Sequence, residues 1–198
     1  MIAVEEALSI VLKNRFALTE TEILPLEQCL NRNLAKAVQA PIDLPRHRLS
    51  SMDGFALCIH NSNRFILKGE VKAGDAQNPD LQPGECVRIF TGAVVPDKAD
   101  TVVMQEKTQR KENIIIVEPP LHQNQNIRQV GSQVKKGDFP LEKGQVLQAS
   151  GLAFLRSLGF EKVEVIRNPK VTLILTGNER TNPGDASTRV KIYESNSL

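Results

Sequence analysis

The sequence of 198 residues is poor in aromatic side chains, with one Tyr, no Trp and 4% aromatic residues in all. Proteins that bind single-stranded nucleic acid without sequence preference stack the bases on such side chains. The formal net charge of +2 is also too small for a surface that binds nucleic acid by neutralising its phosphates. We therefore expect no nucleic-acid partner.

Long apolar runs and paired cysteines are lacking as well. No apolar run approaches the roughly 20 residues that a membrane-spanning helix needs, and residues 1–6 lack the cationic region of a signal peptide. Cys29, Cys58 and Cys86 are odd in number and form no C-x-x-C pair, which favours reduced thiols over a disulfide framework or a zinc site. We therefore expect a cytoplasmic protein with no membrane partner.

The composition that is present, 40% apolar and 24% charged, indicates a globular chain of one or two domains with real cores. A first helix is predicted near the N-terminus, because apolar residues recur there at helical spacing: Val4, Ala7, Leu8, Val11 and Leu12. Packing against a core is the usual role of such a face. A second helix is predicted to begin at Pro25, with Leu26, Leu30 and Leu34 along one stripe.

Short strands are predicted in the middle of the chain, where β-branched runs alternate with turn signals. The predicted strands cover residues 55–59, 65–71, 86–90, 101–105 and 114–117. Turn dipeptides at 74–75, 78–79 and 83–84 separate them. Several short strands at this spacing indicate a small β-barrel or sandwich.

The last third of the sequence is mixed. Residues 123–133 are polar and predicted to be loop. A helix is predicted over residues 151–158, capped by Ser150 and ended by Gly159, and a strand over 161–166. The apolar run 171–175 is typical of a strand buried on both faces of a parallel sheet. Only 23 residues follow Leu175, so we expect a longer protein cut just inside its next domain.

Two stretches carry polar residues where strands meet turns. Residues 89–106 read IFTGAVVPDKADTVVMQE, with Thr91 at a strand end beside Gly92. Residues 50–56 read SSMDGFA, with Asp53 and Gly54 directly before a strand. Taken alone, the first is compatible with an ordinary hairpin loop and the second with an Asp-Gly turn.

Together these stretches resemble the signatures of the MoeA/gephyrin-E family, the molybdenum-inserting enzymes of molybdenum-cofactor synthesis. The first matches I-x-T-G-A-x-x-P-x-x-A-D-x-V-V-x-Q-E and the second S-x-M-D-G-[YF]-A. Residues 176–179 resemble the family's T-G-D-E, residues 183–184 its P-G, and residues 192–197 its I-Y-D-S-N-S. The resemblance covers essentially the whole chain.

The resemblance implies three catalytic residues, Asp53, Thr91 and Glu179. Asp53 would be the essential acid that binds or activates a magnesium-bound, phosphate-bearing substrate, and its hard carboxylate oxygen suits Mg²⁺. Glu179 would be a second metal ligand, although a solvated loop glutamate is the alternative. Further residues implied in binding the substrate are Ser51, Gly54, Gly92, Thr176, Gly177, Asn178 and Ser195.

The sequence departs from the family pattern at three places. Asn178 stands where T-G-D-E has its aspartate. Gln133 replaces the functional aspartate of N-x-R-x-x-G-x-D in the implied metal site, which keeps an oxygen donor but loses a charge. Residues 46–49 stand where the family shows F-D-x-S, and their basic triplet, Arg46, His47 and Arg48, would either contact phosphate or form a solvated loop.

The family architecture implies an α+β multidomain fold. Residues 41–136 would form an inserted β-rich, barrel-like domain, and residues 21–40 with 137–168 a small discontinuous α/β domain. Residues 1–20 would form a helix that packs with a third domain. Residues 169–198 would begin that incomplete molybdopterin-binding α/β (MogA-like) domain, with 171–175 as its first strand.

The implied reaction is insertion of molybdate into adenylated molybdopterin, with Mg²⁺ and release of AMP. The family site lies between the β-rich domain of one subunit and the third domain of the other, so a homodimer is expected, with other molybdenum-cofactor synthesis proteins as further partners. We expect Asp53 and Thr91 to meet at the rim of the β-rich unit. Glu179 would join them only across the dimer.

Two alternatives remain. The departures at Gln133, Asn178 and residues 46–48 would suit a non-catalytic paralogue that binds the pterin or a partner protein. A purely structural β-domain without a small-molecule site is the third interpretation.

Overall fold

The computed structural model describes residues 2–16, 18–75, 77–177, 179–182, 184, 192, 193 and 195. Its contacts divide the chain into two compact units, one formed by Met1–Glu22 with Ile166–Leu198 and the other by Ile23–Val165. In the part of the chain so described, no helix has the length and apolar character needed to cross a membrane.

The described residues form two α-helices and twelve short strands. The helices are α1 (Val4–Lys13) and α2 (Ala149–Ser157). The strands are β1 (Thr21–Pro25), β2 (Leu49–Ser50), β3 (Gly54–Leu57), β4 (Arg64–Val71), β5 (Glu85–Ile89), β6 (Thr101–Met104), β7 (Thr108–Lys111), β8 (Ile114–Val117), β9 (Ile127–Arg128), β10 (Lys162–Ile166), β11 (Arg180–Thr181) and β12 (Ile192–Tyr193).

Six strands form one curled, half-barrel sheet in the order β6-β3-β5-β4-β8-β7. Within this sheet, β3 runs antiparallel to both of its neighbours, β5 and β6, and β4 and β5 are the one pair that runs parallel. Two-residue strands β2 and β9 pair with each other, as do β11 and β12, and β1 pairs with β10. The fold is therefore mostly β.

The sheet is apolar on both faces, because successive side chains of a strand point to opposite sides. Ala56, Val87, Ile89 and Val102 belong to one buried cluster. Their chain neighbours belong to another cluster on the opposite face: Phe55, Leu57, Cys86 and Val103. All four residues of β3 are buried, which makes it the most enclosed strand of the sheet.

A separate apolar cluster lies outside the sheet and includes Leu26, Leu34, Leu147, Leu155 and Val165. The helix α2 ends beside it in a Schellman motif: Phe160 N–H donates to Leu155 O at 3.1 Å and Gly159 N–H to Arg156 O at 3.0 Å. Gly159 has the φ of +89° that this motif requires. The predicted ending of this helix is confirmed.

Most of the predicted elements form. The five central strands, the N-terminal helix and the strand predicted at 161–166 appear with bounds shifted by at most two residues. The mainly β character predicted for the middle of the chain is confirmed. The domain boundaries drawn from the family architecture stay a prediction.

Two predicted helix features are wrong. The helix expected from Pro25 is only a single 3₁₀ turn, Leu26–Gln28, after β1. The following segment instead makes isolated β-bridges, including Leu34 with Val165 and Val38 with Leu141, so long-range pairing overrides the local leucine stripe. At α2 the N-cap is Gln148, and no side chain, Ser150 included, forms a cap hydrogen bond.

Three further expectations need correction. Residues 171–175 form no strand, and their apolar side chains are exposed, because in the described part of the chain they have no partner strand to satisfy their backbone groups. The loop expected at 123–133 contains β9, which pairs with β2. None of the residues of α1 is buried in the described structure, so the expected core packing of its apolar face is not seen.

Gly54 generates a testable prediction. A Cβ at this position would overlap the carbonyl group of Val103 on the adjacent strand. We expect Gly54→Ala to lower the free energy of unfolding by about 2–4 kcal/mol, since the overlap is with backbone in a buried strand. Thermal unfolding measures the change.

Gly151 provides the control. It lies in α2, where a Cβ would meet Leu147 only at an ordinary 3.7 Å. Gly151→Ala should leave stability unchanged or raise it by up to about 1 kcal/mol. Equal melting temperatures for the two variants would show that Gly54 is not sterically required.

Candidate functional site

The candidate site lies where three strand ends meet. Gly54, the first residue of β3, pairs with Ile89 at the end of β5 and with Met104 at the end of β6. The residue before Gly54 is therefore flanked by the residues that leave both neighbouring strands. This pairing brings Asp53, Thr91 and Gln105 to one place.

The Asp53 carboxylate is held by Thr91. The backbone N–H of Thr91 donates to Asp53 Oδ1 at 2.8 Å, and its Oγ1 hydroxyl donates to the same oxygen at 2.7 Å. These two hydrogen bonds, the backbone one first, lower the pKa of the Asp53 carboxyl, and the charge of Arg88 lowers it further. Both residues are exposed, so an ionised carboxylate faces solvent here.

Backbone hydrogen bonds fix the two loops that carry this pair. Gly92 N–H donates to Ser50 O at 2.9 Å, and Ser51 N–H donates to Asn126 O at 2.9 Å. The buried Ser50 hydroxyl donates to Met52 O at 2.6 Å, which shapes the turn leading to Asp53. Ser51, Gly54 and Gly92 therefore shape the site through their backbone.

Arg88 is the cation of the site and touches all three strand ends. Its guanidinium lies 5.2 Å from the ring centre of Phe55 and 5.1 Å from that of Phe90. Nη1 donates to Gly54 O at 3.4 Å, and Nη2 donates to Gln105 Oε1. This half-buried charge is therefore fixed in place before any ligand binds.

Glu106 brings a second carboxylate near Asp53. Gln105 Nε2 donates to Glu106 Oε1 at 3.1 Å, so the amide links Arg88 to Glu106. A hydrogen bond from its own backbone N–H, with that from Gln105, lowers the pKa of the Glu106 carboxyl; Arg88 lowers it further, and the charge of Asp53 acts in the opposite direction. Two ionised carboxylates thus lie around one arginine.

The basic triplet at 46–48 does not supply a phosphate contact through Arg48. Its Nη1 donates to Ala99 O at 3.0 Å, and Nη2 donates to Pro96 O at 2.6 Å and Asp97 O at 2.8 Å. Arg48 therefore holds the loop that follows Thr91.

Gln133 lies in another part of the same unit. Its backbone N–H donates to Leu44 O at 2.9 Å, and the next residue, Val134, makes a β-bridge to Leu44. The Asp53 carboxylate receives its hydrogen bonds from Thr91, not from Gln133, among the contacts of the described residues. The place of Gln133 in a metal site stays a prediction.

The remaining candidates belong to the other unit. Gly177 lies against the Glu179 carboxylate, and Glu179 O accepts a hydrogen bond from Ile192 N–H at 2.8 Å. Thr176 lies in irregular chain, and Ser195 follows β12. Asn178 lies outside the described residues. The structure thus brings Asp53 to Thr91 and Gly177 to Glu179.

The donor set at Asp53 fits a magnesium ion that is shared with a substrate. Both Thr91 hydrogen bonds go to Oδ1, which leaves Oδ2 without a partner among the described residues. Mg²⁺ is commonly held by one or two carboxylates together with water and substrate phosphates. Nowhere in the described part of the chain do three or more His, Cys, Asp or Glu side chains gather in a way that could hold a metal.

Sequence reasoning missed Arg88 and Glu106 as site residues. Glu106 is the last residue of the 89–106 signature, so its place in that run was a usable signal. Arg88 reaches the site across β3, and only the pairing of Arg88 with Phe55 reveals this.

Thr91→Val tests the geometry at Asp53. It removes the hydroxyl donor and keeps the backbone donor, so the pKa of Asp53 should rise part of the way to its usual range. At pH values above the usual pKa of a carboxyl group, the hydrogen bonds to ionised Asp53 stabilise the folded state. This stabilisation is lost as the pH falls through the lowered pKa that Asp53 has in the folded protein. A carbon-detected NMR titration of the carboxyl reports the change.

Thr91→Ser is the matched control, because it retains the hydroxyl. Its Asp53 should titrate as in the unsubstituted protein. A Thr91→Val protein with an unshifted Asp53 would show that the hydroxyl does not hold this carboxylate.

The comparisons with known proteins identify the family. The model of the MoeA N-terminal region (domain I and II) matches residues 2–159. Molybdopterin molybdenumtransferase of Staphylococcus aureus (strain Mu50 / ATCC 700699) is 35% identical over 203 residues, covering 98% of this chain and 48% of the relative. That of Haemophilus influenzae (strain ATCC 51907 / DSM 11121 / KW20 / Rd) is 34% identical over 200 residues, covering 99% and 50%.

A solved structure shares the fold. The molybdopterin biosynthesis MoeA protein from Pyrococcus horikoshii OT3 superposes with a TM-score of 0.87 at 31% identity, covering all of this chain and 55% of that one. The chain spans about half the length of the curated relatives it matches. It belongs to the MoeA family, whose N-terminal region it matches over residues 2–159.

Proposed function

We propose that this chain is part of an enzyme of molybdenum-cofactor biosynthesis that inserts molybdate into adenylated molybdopterin, with Mg²⁺ and release of AMP. Membership of the MoeA family and relatives named molybdopterin molybdenumtransferase support the proposal. The observation that carries it is the ionised Asp53 carboxylate, held by two hydrogen bonds from Thr91 at the meeting point of three strand ends.

The chemistry requires two anions, a nucleotide-bearing pterin and an oxyanion, to come together. A Mg²⁺ ion bound here would offset their repulsion and polarise the phosphoryl oxygens. Asp53 Oδ2 is the oxygen that would hold it. Thr91 lowers the pKa of the Asp53 carboxyl and fixes its orientation, so the carboxylate would be both ionised and positioned before a cation binds.

The second half of the site would come from another subunit. Glu179, Thr176, Gly177, Asn178 and Ser195 would belong to a molybdopterin-binding domain of the MogA-like type that continues beyond this chain. We propose that this domain, in a homodimer, faces Asp53 of the other subunit in the cytoplasm. Glu179 would then be the partner's carboxylate for the same metal.

Replacing Asp53 tests the proposal. In the native protein that carries this sequence, Asp53→Asn should lower the rate of molybdenum insertion by at least about a hundredfold, because a metal-activating carboxylate contributes several kcal/mol to the transition state. Melting temperature should stay close to that of the unsubstituted protein, since Asp53 is exposed and the amide oxygen of Asn can still accept both Thr91 hydrogen bonds. Insertion is measured as molybdenum bound to the pterin and AMP released.

Asp80→Asn is the matched control, because it also removes an exposed carboxylate, one paired with Lys98 at 2.6 Å outside the site. It should retain full insertion. Unchanged turnover of Asp53→Asn would remove Asp53 from the catalytic residues, and a binding-only protein would show pterin binding with no AMP release from either form.

Gln133 generates a second prediction. Gln133→Asp in the native protein restores the charge of the family residue, so it should lower the Mg²⁺ concentration for half-maximal activity by about two- to fivefold, the range of an exposed charge pair. A magnesium titration of insertion measures this. If Gln133→Asp leaves the magnesium titration curve unchanged, Gln133 lies outside the metal site. Gln129→Glu, which adds a carboxylate nearby in the same loop, controls for the change in net charge.

A further inference from the structure

A polar groove opens on the sheet next to the Asp53 site. Its volume is about 390 Å³. Strand β4 contributes Leu67, Lys68, Gly69 and Glu70, strand β5 contributes Arg88, and the β7–β8 hairpin contributes Arg110 and Asn113. All of these residues belong to the unit Ile23–Val165.

The groove exists because the β7–β8 hairpin is shorter than the strand beside it. Strand β8 pairs with β4 only from Arg64 to Ile66, and the last contact is Leu67 N–H to Asn113 O at 2.8 Å. The rest of β4, up to Val71, extends past the hairpin tip. This leaves the second half of β4 without a paired neighbour on the β8 side.

A β-bulge lies in this half of β4. The register of β4 on β5 runs from Leu67 opposite Cys86 to Glu70 opposite Arg88, so Lys68 and Gly69 stand outside the ladder. Gly69 has a φ of +153°, and a Cβ added to it would meet nothing within 4 Å. Bulges of this kind recur beside active sites, where they redirect side chains and free backbone groups.

Cations dominate the groove. Lys68, Arg88 and Arg110 line it together with a single carboxylate, Glu70, which is paired with Lys72 at 2.9 Å. Lys68 is itself paired with Glu85 at 3.2 Å. Arg110 donates from Nε to Glu112 O at 2.9 Å, and in the contacts of the described residues its two Nη groups have no partner. The two Nη groups of an arginine form a planar fork that can donate two parallel hydrogen bonds to phosphate oxygens.

Arg88 joins this groove to the candidate site. The Arg88 guanidinium donates hydrogen bonds to Gly54 O and Gln105 Oε1, beside Asp53 and Glu106. Arg88 also lines the groove. The groove and the candidate site therefore share one residue, Arg88, at the inner end of the groove.

We propose that the groove formed by Lys68, Arg88, Arg110 and Asn113 binds the phosphate of a nucleotide-bearing substrate and directs it toward Asp53. The identity of that ligand rests on the proposed function, whereas the anion site rests on the groove itself. The Arg110 fork and the Asn113 amide would donate to phosphate oxygens, Lys68 would add a mobile charge, and the fixed Arg88 would mark the inner end.

Titration of the protein with AMP, followed by amide NMR shifts, tests this proposal. We expect shifts at Lys68, Gly69 and Asn113 and a dissociation constant in the millimolar range, as for one exposed phosphate site. Adenosine, which lacks the phosphate, should cause none of them. Arg110→Gln should weaken AMP binding roughly tenfold, since it removes charge-assisted hydrogen bonds, and Lys68→Gln should act in the same direction.

Lys111→Gln is the matched control. It removes the same charge from the next residue of β7, whose side chain points to the opposite face, so AMP binding should change by less than about twofold. Equal weakening by Arg110→Gln and Lys111→Gln would overturn the proposal, as would shifts confined to other surfaces or none at about 20 mM AMP, far above the expected constant.

The result separates this proposal from the function proposed above. AMP binding is measured without molybdate, pterin or turnover. If AMP binds as expected but the native protein does not insert molybdenum, the groove proposal stands and the proposed reaction is rejected. If insertion is normal but Arg110→Gln has no effect on AMP binding, the proposed reaction stands and the groove proposal is rejected.

Discussion

The antiparallel pairing of β3 with both β5 and β6 is the constraint on which the site depends. It places the start of one strand between the ends of two others, so Asp53, Thr91 and Gln105 become neighbours although they are far apart in the sequence. The pairing is tight enough that Gly54 has no room for a side chain against Val103. Apolar packing on both faces of β3 then fixes the strand ends. The polar residues directly beyond these ends are therefore held in place as well.

Electrostatics at this corner depends on the position of one arginine. The charge of Asp53 disfavours the ionisation of Glu106, yet the pKa of both carboxyls is lowered, because hydrogen bonds and the nearby Arg88 outweigh the opposing effects. Two aromatic rings and two oxygen acceptors hold that guanidinium. The site therefore combines anionic groups suited to a cation with a fixed cation suited to an anion, which is what a metal-assisted reaction between anions needs.

The sequence predicts this unit well where local pattern and tertiary pairing agree. Alternating β-branched residues predict the central strands, and glycines beside Thr91 and Asp53 indicate where those strands end. Prediction fails where distant partners decide. The leucines after Pro25 have helical spacing, but the bridge from Leu34 to Val165 extends the chain. In the sequence Arg88 is simply one residue of a strand, and only its pairing with Phe55 on β3 shows that it reaches Gly54 and Gln105 beside Asp53. Residues 171–175 have the composition of a buried strand and find no partner in the described chain.

The structure also separates the departures from the family pattern by their physical consequence. Arg48 stands where the family has F-D-x-S, yet its guanidinium satisfies three backbone carbonyls of the loop between Pro96 and Ala99. Asn78 also holds this loop: its Nδ2 donates to Asp97 Oδ2 at 2.8 Å, and its Oδ1 accepts from Asp97 N–H at 3.1 Å. The substitution at 48 thus stabilises the segment that follows Thr91 and says nothing against catalysis. Gln133 is different, because its backbone N–H to Leu44 O is the contact that the described residues show for it, and this contact does not replace the charge of the family's aspartate. Under the proposed function, a loss of activity relative to the family would therefore follow from the charge lost at Gln133, whereas the contacts of Arg48 give no reason to expect one from residue 48.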